Sequence, residues 1–239
     1  MGMKKVFLGV GHGGTDPGAV ANGFKESVIN LTIAKEVKSI LERHGVEVKM
    51  SREKEENDDL SEETRECNVY KPDLAVDIHT NAGGGDGFEV FHSVGGGTGK
   101  VLAENINKEV IAMGQNSRGV KTKRNSSGTD YFGFIRNTTC PAIIVEGFFI
   151  DNKADLKDFD TDTELRVLGL AYAKGILKTL GIAYKAEVVA PPTSNIDPNV
   201  FYRVIAGSYN DKSIAEAQMK LLEEKGIKGV FLDVYRKPE

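Results

Sequence analysis

The chain has 239 residues, enough for one large domain or an ordinary domain with an appendage, and for a sizeable core. Its 31 Lys and Arg against 35 Asp and Glu leave a formal net charge of -4, so no basic field exists to neutralise a nucleic-acid backbone. With 40% hydrophobic and 28% charged residues and no apolar run near the ~18 residues of a membrane span, the composition is globular and excludes membrane insertion.

Val6 to Val10 is a short apolar run that stops at Gly11-His12-Gly13-Gly14, as a buried strand stops at a loop. Preceded by two lysines, it is too short and too glycine-broken for a signal h-region, so synthesis in the cytoplasm without a signal peptide is expected. From Glu26 to Arg43 the residues Ile29, Ile33, Val37, Ile40 and Leu41 recur at helical spacing, and Gly45 follows as a C-terminal stop. Val46 to Met50 alternates as a second strand, and Leu60 to Asn68 reads as a short charged helix with Ser61 as cap. Leu74 to His79 is a third strand with Leu74, Val76 and Ile78 on one face, Ala75, Asp77 and His79 on the other, and His79 at its end.

Further on, Phe88 to Phe91 is a strand, Gly99 to Met113 a helix, Ala142 to Val145 a buried strand ending at Glu146, and Thr163 to Leu180 a helix closed by Gly181. This alternation predicts an α/β fold: a mainly parallel twisted sheet with helices on both faces, over residues 1–181. Residues 182–200 hold three of the seven prolines and form a semi-rigid linker. Residues 201–239 then read as one small β-α-β unit, with strands at 201–206 and 229–235 around a helix at 213–225. That is below the ~40 residues at which isolated domains need support, so a docking partner, such as a second copy, is expected.

Four polar side chains fall where an open α/β sheet gathers its functional groups, beyond the carboxyl ends of the strands. His12 follows the first strand and His79 ends the third. Glu26 lies on the apolar stripe of the first helix at its first turn, aimed inward, and Glu146 ends the strand Ile143-Ile144-Val145. Two imidazoles and an inward carboxylate suit a catalytic zinc site with one open position, and a nearby unligated carboxylate suits a base. His12, Glu26 and His79 are therefore expected to hold Zn2+, with Glu146 moving the proton. The opposite split, Glu146 as ligand and Glu26 as base, is disfavoured because a carboxylate on a stiff helix is the better anchor.

Other residues invite blander readings. His44, at a helix C-terminus, reads as a cation favoured by the helix dipole, and His92 could line the groove. Cys67 and Cys140 have no C-x-x-C spacing and read as free packing thiols. Gly9-Val10-Gly11-His12-Gly13-Gly14 matches the dinucleotide fingerprint, yet the helix begins only near Glu26, too late for its N-terminus to meet a pyrophosphate.

Gly11-His12-Gly13-Gly14-Thr15-Asp16-Pro17-Gly18-Ala19, then Glu26, then Asp77-Ile78-His79-Thr80-Asn81-Ala82, then Ile144-Val145-Glu146-Gly147-Phe148-Phe149-Ile150-Asp151-Asn152 resemble in order and spacing the zinc N-acetylmuramoyl-L-alanine amidases of the amidase-3 type. Ser51-Arg52, Arg65 with Asn68, and Arg118-Gly119-Val120 match further landmarks, and the likeness spans about residues 4–181. One departure is Gly9-Val10, where members commonly carry Asp-Pro, which removes an acidic neighbour that could orient His12. The resemblance implies zinc on His12, Glu26 and His79, Glu146 as acid and base, and cleavage of the amide between N-acetylmuramic acid and L-alanine in bacterial peptidoglycan.

The tail from Tyr202 to Tyr209 onward is similar to one repeat of sporulation-related (SPOR-like) wall-binding domains, which normally hold two. Pairing across a homodimer would supply the second. Together these imply an endolysin or autolysin released through holin pores or by mother-cell lysis. Two alternatives stand beside this one: a non-catalytic wall-binding module, and a zinc carboxypeptidase acting on the stem peptide. The latter would need Arg52, Arg118 or Arg136 for a terminal carboxylate.

Overall fold

Val6, Phe7, Leu8 and Val10 have no measurable exposure, so the first apolar run, β1 (Lys5–Val10), is a strand covered on both faces. The computed structural model describes residues 2–186 and 212–224. After β1 a small antiparallel hairpin, β2 (Val20–Ala21) and β3 (Phe24–Lys25), leads into α1 (Glu26–Arg43), β4 (Glu47–Met50), α2 (Leu60–Tyr70) and β5 (Leu74–Asn81). There follow β6 (Phe88–His92), α3 (Gly97–Ala112), β7 (Ser117–Lys121), α4 (Gly133–Asn137) and β8 (Ala142–Phe149). The short α5 (Lys153–Lys157), α6 (Asp162–Thr179) and α7 (Lys212–Glu224) complete the described elements.

Six strands form one sheet in the order β4-β1-β5-β8-β6-β7. All neighbours are parallel except β6 against β8, as the repeated strand-helix order requires. Helices cover both faces. Ile29, Ile33 and Val37 of α1, Leu102 and Ile106 of α3, and Leu168 and Ile176 of α6 pack with Val6, Leu8, Val76 and Ile78 on one side. On the other, Phe7, Ala75 and Ile144 meet Cys67 of α2 and Phe134 and Ile135 of α4. The alternation along β5 thus sends Leu74, Val76 and Ile78 to one core and leaves Asp77 and His79 facing the α2 side.

Several expectations shift in detail. The α2 cap is Asp59, whose carboxylate accepts from the Ser61 and Glu62 amides at 2.9 and 3.0 Å, rather than Ser61. α6 begins with a full capping box between Thr161 and Glu164. β5 runs two residues beyond His79, and β8 continues through Glu146 to Phe149, because Asn81 and Phe149 still pair after a local register shift. Neither functional residue therefore ends its strand. His44 acts as a hydrogen-bonded clamp: its Nδ1 donates to the Ile40 carbonyl at 2.7 Å and its Nε2 accepts the Lys185 amide at 2.9 Å. Cys67 and Cys140 are free, but their sulfurs lie 3.9 Å apart across α2 and the approach to β8.

The chain divides into two units, Met1–Ala186 and Glu187–Glu239. Of the second, α7 coincides with the helix expected at 213–225 and carries a Lys212–Glu216 ion pair at 3.4 Å. The strands expected at 201–206 and 229–235, and the linker beyond residue 186, lie outside the described residues.

Candidate metal centre

β1 and β5 are adjacent and parallel, so the loop leaving Val10 and the end of β5 emerge at the same sheet edge. His12 sits in that loop with φ at +65°, a left-handed conformation uncommon for a residue with a side chain. The turn is held by reciprocal Gly13–Asp16 backbone bonds of 2.7 and 3.0 Å. Behind it, Arg52 is fully buried and donates to the carbonyls of Val10 (3.0 Å), Gly11 (3.4 Å) and Ser27 (2.6 Å), tying the loop to the start of α1. Gly18 completes the wall: a Cβ there would lie 2.6 Å from His12 Cδ2 and 2.7 Å from Glu26 Oε2.

Glu26 opens α1 and is buried, with its Oε2 accepting the Ala19 amide at 3.0 Å and its Oε1 the Thr80 amide at 3.1 Å. His12 Nε2 stands 3.3 Å from Oε2 and His79 Nδ1 stands 3.1 Å from Oε1. One ligand atom from each of the three residues lies within 4.8 Å of the others. Two donors on one tetrahedral zinc at ~2.0–2.1 Å are about 3.4 Å apart, so two imidazoles and one carboxylate at these separations fit that ion. The remaining ring nitrogens are already engaged. His12 Nδ1 is 2.8 Å from Asp16 Oδ2, and His79 Nε2 is 3.2 Å from Asp77 Oδ2. Each imidazole thus turns one nitrogen to a carboxylate and the other to the shared centre, the arrangement that fixes a ligand's tautomer.

Although residue 9 is a glycine, His12 has a carboxylate neighbour in Asp16, itself pinned by accepting the Gly18 amide at 3.0 Å. Neither Asp16 nor Asp77 carried a sequence signal of this role, because the hydrogen bond depends on a turn and on a side-chain rotamer.

The electrostatics follow the geometry. Burial alone would raise Glu26, but the hydrogen bonds from His12, His79 and the Ala19 amide outweigh it and hold the carboxyl far below its usual range. His12 is raised, first by its bond to Glu26 and against the effect of burial. For His79 burial would lower the ring, yet Asp77 and Glu26 prevail and raise it well above the ordinary value.

Glu146 occupies the strand next to His79, directly opposite it in register. Burial, together with the charges of Glu26, Asp77 and Glu89, pushes it up to about 7 against the opposing influence of His79. Glu89 is its register neighbour on the other side, paired with Arg118 at 2.8 Å and with Lys121 and accepting from the Asn81 amide at 2.9 Å. A polar row, His79, Glu146, Glu89, thus crosses three strands at one level. His92 does not join it: its Nδ1 donates to the Ser93 carbonyl, and it lines a separate cavity of about 510 Å3 with Lys100 and Lys121.

The arginines considered for a terminal carboxylate are otherwise engaged. Arg52 is buried on carbonyls and Glu55, Arg118 pairs with Glu89, and Arg136 donates to the Asp130 and Tyr131 carbonyls.

Comparison with known proteins identifies the family of the chain. Residues 6–178 match the family model described as N-acetylmuramoyl-L-alanine amidase, of the amidase-3 type. The endolysin of Bacillus phage SPP1 is 39% identical over 197 residues, covering 79% of this chain and 70% of the phage protein. The sporulation-specific N-acetylmuramoyl-L-alanine amidase of Bacillus subtilis is 30% identical over 235 residues, covering 96% of this chain and 85% of that protein. Among solved structures, the catalytic domain of the amidase CwlV from Bacillus (Paenibacillus) polymyxa superposes with a TM-score of 0.69 at 26% identity, covering 76% of this chain and all (100%) of that one. With the family model spanning most of its length and the fold shared with a solved catalytic domain, the chain belongs to the N-acetylmuramoyl-L-alanine amidase family of the amidase-3 type.

Proposed function

We propose that the protein is a zinc-dependent peptidoglycan hydrolase that cleaves the amide between N-acetylmuramic acid and L-alanine. His12, Glu26 and His79 would hold the metal. When bound, zinc supplies Lewis acidity that polarises the scissile carbonyl and makes water nucleophilic near neutral pH. Glu146 takes one proton of the attacking water and delivers it to the departing alanine nitrogen, so that the C–N bond breaks to a carboxylic acid and an amine, which pass to carboxylate and ammonium by transfer of the remaining proton. A carboxyl titrating near 7 is matched to both halves of that transfer. Asp16 and Asp77 orient the two imidazoles throughout.

The observation that supports this reading most is the convergence of His12, Glu26 and His79 within ligand distance, beside a carboxyl raised to about 7 on the adjacent strand. The test is an end-group assay on purified cell wall. New N-terminal alanine without new reducing sugar ends supports the amidase, whereas released terminal D-alanine would point to a carboxypeptidase. Glu146→Gln is expected to retain one zinc per chain while losing roughly 10²–10⁴-fold in turnover; His12→Ala and His79→Ala are expected to lose the metal, read by metal analysis. Full activity in Glu146→Gln overturns the assigned role.

The organisation we infer is a catalytic domain at 1–181, a linker at 182–200 and a SPOR-like wall-binding unit at 201–239 that pairs in a homodimer. Holding the enzyme on an insoluble polymer raises the local substrate concentration without any added catalytic contact. Release of such an enzyme to the wall by holin or by mother-cell lysis is consistent with similarity to a phage endolysin and a sporulation amidase.

A further inference from the structure

α2 lays Glu63 and Cys67, one helical turn apart, against the sheet face that carries Asp77 and His79. Cys67 is an ordinary core residue, but Glu63 is a carboxyl with 6% exposure, and its Oε1 is buried without a hydrogen-bond partner. Asp77, 3% exposed, has the same defect at Oδ1, while its Oδ2 stands 3.2 Å from His79 Nε2. Gly9 explains how both fit. It is the register partner of Asp77 on β1, and a Cβ at Gly9 would lie 2.2 Å from Glu63 Oε1 and 2.7 Å from Asp77 Oδ1. The two orphan oxygens therefore border the same small space, the one that a side chain at residue 9 would fill.

A buried carboxyl oxygen without a partner is costly, and two bordering one space are worse unless one group donates to the other. Burial, with the nearby Asp77 and Asp58 charges, raises Glu63 well above the usual carboxyl range, which favours the neutral acid as donor. A Glu63 hydroxyl offered to Asp77 Oδ1 would satisfy both orphans and leave Oδ2 aimed at the imidazole. No step of the proposed reaction uses Glu63, so the chemistry does not explain it.

We propose that Glu63 is a positioning residue for the metal centre, bracing Asp77, which in turn orients the His79 ring. The inference rests on the zinc reading above, and it adds a third layer to the site that depends on glycine at position 9. Its effect is expected in metal affinity, since groups that orient a ligand imidazole typically contribute about 10–100-fold.

The experiment measures zinc affinity of the full-length chain by chelator competition, alongside thermal stability of the metal-free protein. Glu63→Gln keeps a donor for Asp77 and should bind zinc within about threefold of the parent. Glu63→Leu removes the donor and should weaken zinc about 10–100-fold, while the metal-free protein melts no lower, because a buried polar group has become apolar. The group removed is a buried neutral carboxyl rather than a charge, and if leucine is not accommodated, Glu63→Ala makes the same comparison. In an Asp77→Ala background the leucine substitution should cost no further affinity, because the route through Asp77 is gone.

Parent-like zinc binding in Glu63→Leu, equal losses in Gln and Leu, or an additive loss in the Asp77→Ala background would each overturn the brace. Failure of the underlying reading looks different. A parent protein that takes up no zinc, indistinguishable from His79→Ala, removes the metal centre itself and the brace with it.

Discussion

His12 is a residue whose backbone cost is accepted for its direction. At φ +65° the strand-exit loop bends sharply enough for the imidazole to return over Glu26, and the Asp16 carboxylate then fixes which nitrogen remains available. The same cluster makes stability dependent on pH with a definite sign. His12 and His79 are raised from an ordinary value of 6.5, and Glu146 from 4.5 to about 7, so the folded protein binds these protons more tightly than the unfolded chain. Their stabilisation is complete below the unfolded values and is lost as pH rises through the folded ones. Glu26 acts with the opposite sign, but its contribution is complete above 4.5 and is lost only in stronger acid. Metal-free protein should therefore lose thermal stability steadily from about pH 5 to 8. The stabilisation gained on adding zinc should grow over the same range, because ligands must shed protons to bind it. Melting curves with chelator and with zinc check both slopes, and a metal-free Tm that rises with pH would contradict the cluster's electrostatics.

Between elements, the junction that matters joins the His12 loop to α1. Arg52 makes it by threading a fully buried guanidinium among four carbonyls, those of Val10, Gly11, Ser27 and its near neighbour Lys54, with Glu55 as its only carboxylate partner among the described residues. Arg52→Met keeps much of the volume but strands those carbonyls, and is expected to cost about 2–4 kcal/mol in urea denaturation. Zinc affinity should fall with it, because His12 is carried on the released loop; a variant with parent stability and parent affinity would show that the clamp is dispensable. Helix α1 itself was legible from the spacing of Ile29, Ile33, Val37 and Ile40, and its bounds match the expected Glu26–Arg43. β7 and the short α4 carry little periodicity and take their form from packing: β7 pairs only at the sheet edge, and α4 is one turn anchored by Phe134 and Ile135.

At the scale of the whole chain, the unit Met1–Ala186 is built on one six-stranded sheet whose polar row crosses β5, β8 and β6. No helix among the described residues is long and apolar enough to cross a membrane. The proposed division of labour predicts that a chain ending at residue 186 cleaves soluble muropeptide fragments at the parent rate. The same truncated chain should cosediment poorly with intact wall. Undiminished wall binding would assign the affinity to the catalytic unit and dismiss the tail as its source.

The sequence alone determined the α/β class and the bounds of α1, and it named His12, Glu26, His79 and Glu146, which the fold brings close together. These are carried by local properties: apolar period, glycine punctuation, and rare polar residues at the ends of apolar runs. It could not show that Arg52 is a buried clamp rather than a substrate contact, that His44 is a hydrogen-bonded clamp, or that Asp16, Asp77 and Glu63 stand behind the imidazoles. Those facts depend on which residues from distant segments come within about 3 Å of one another. Hydrogen-bond partnership and burial are properties of that juxtaposition, so only the tertiary structure decided them.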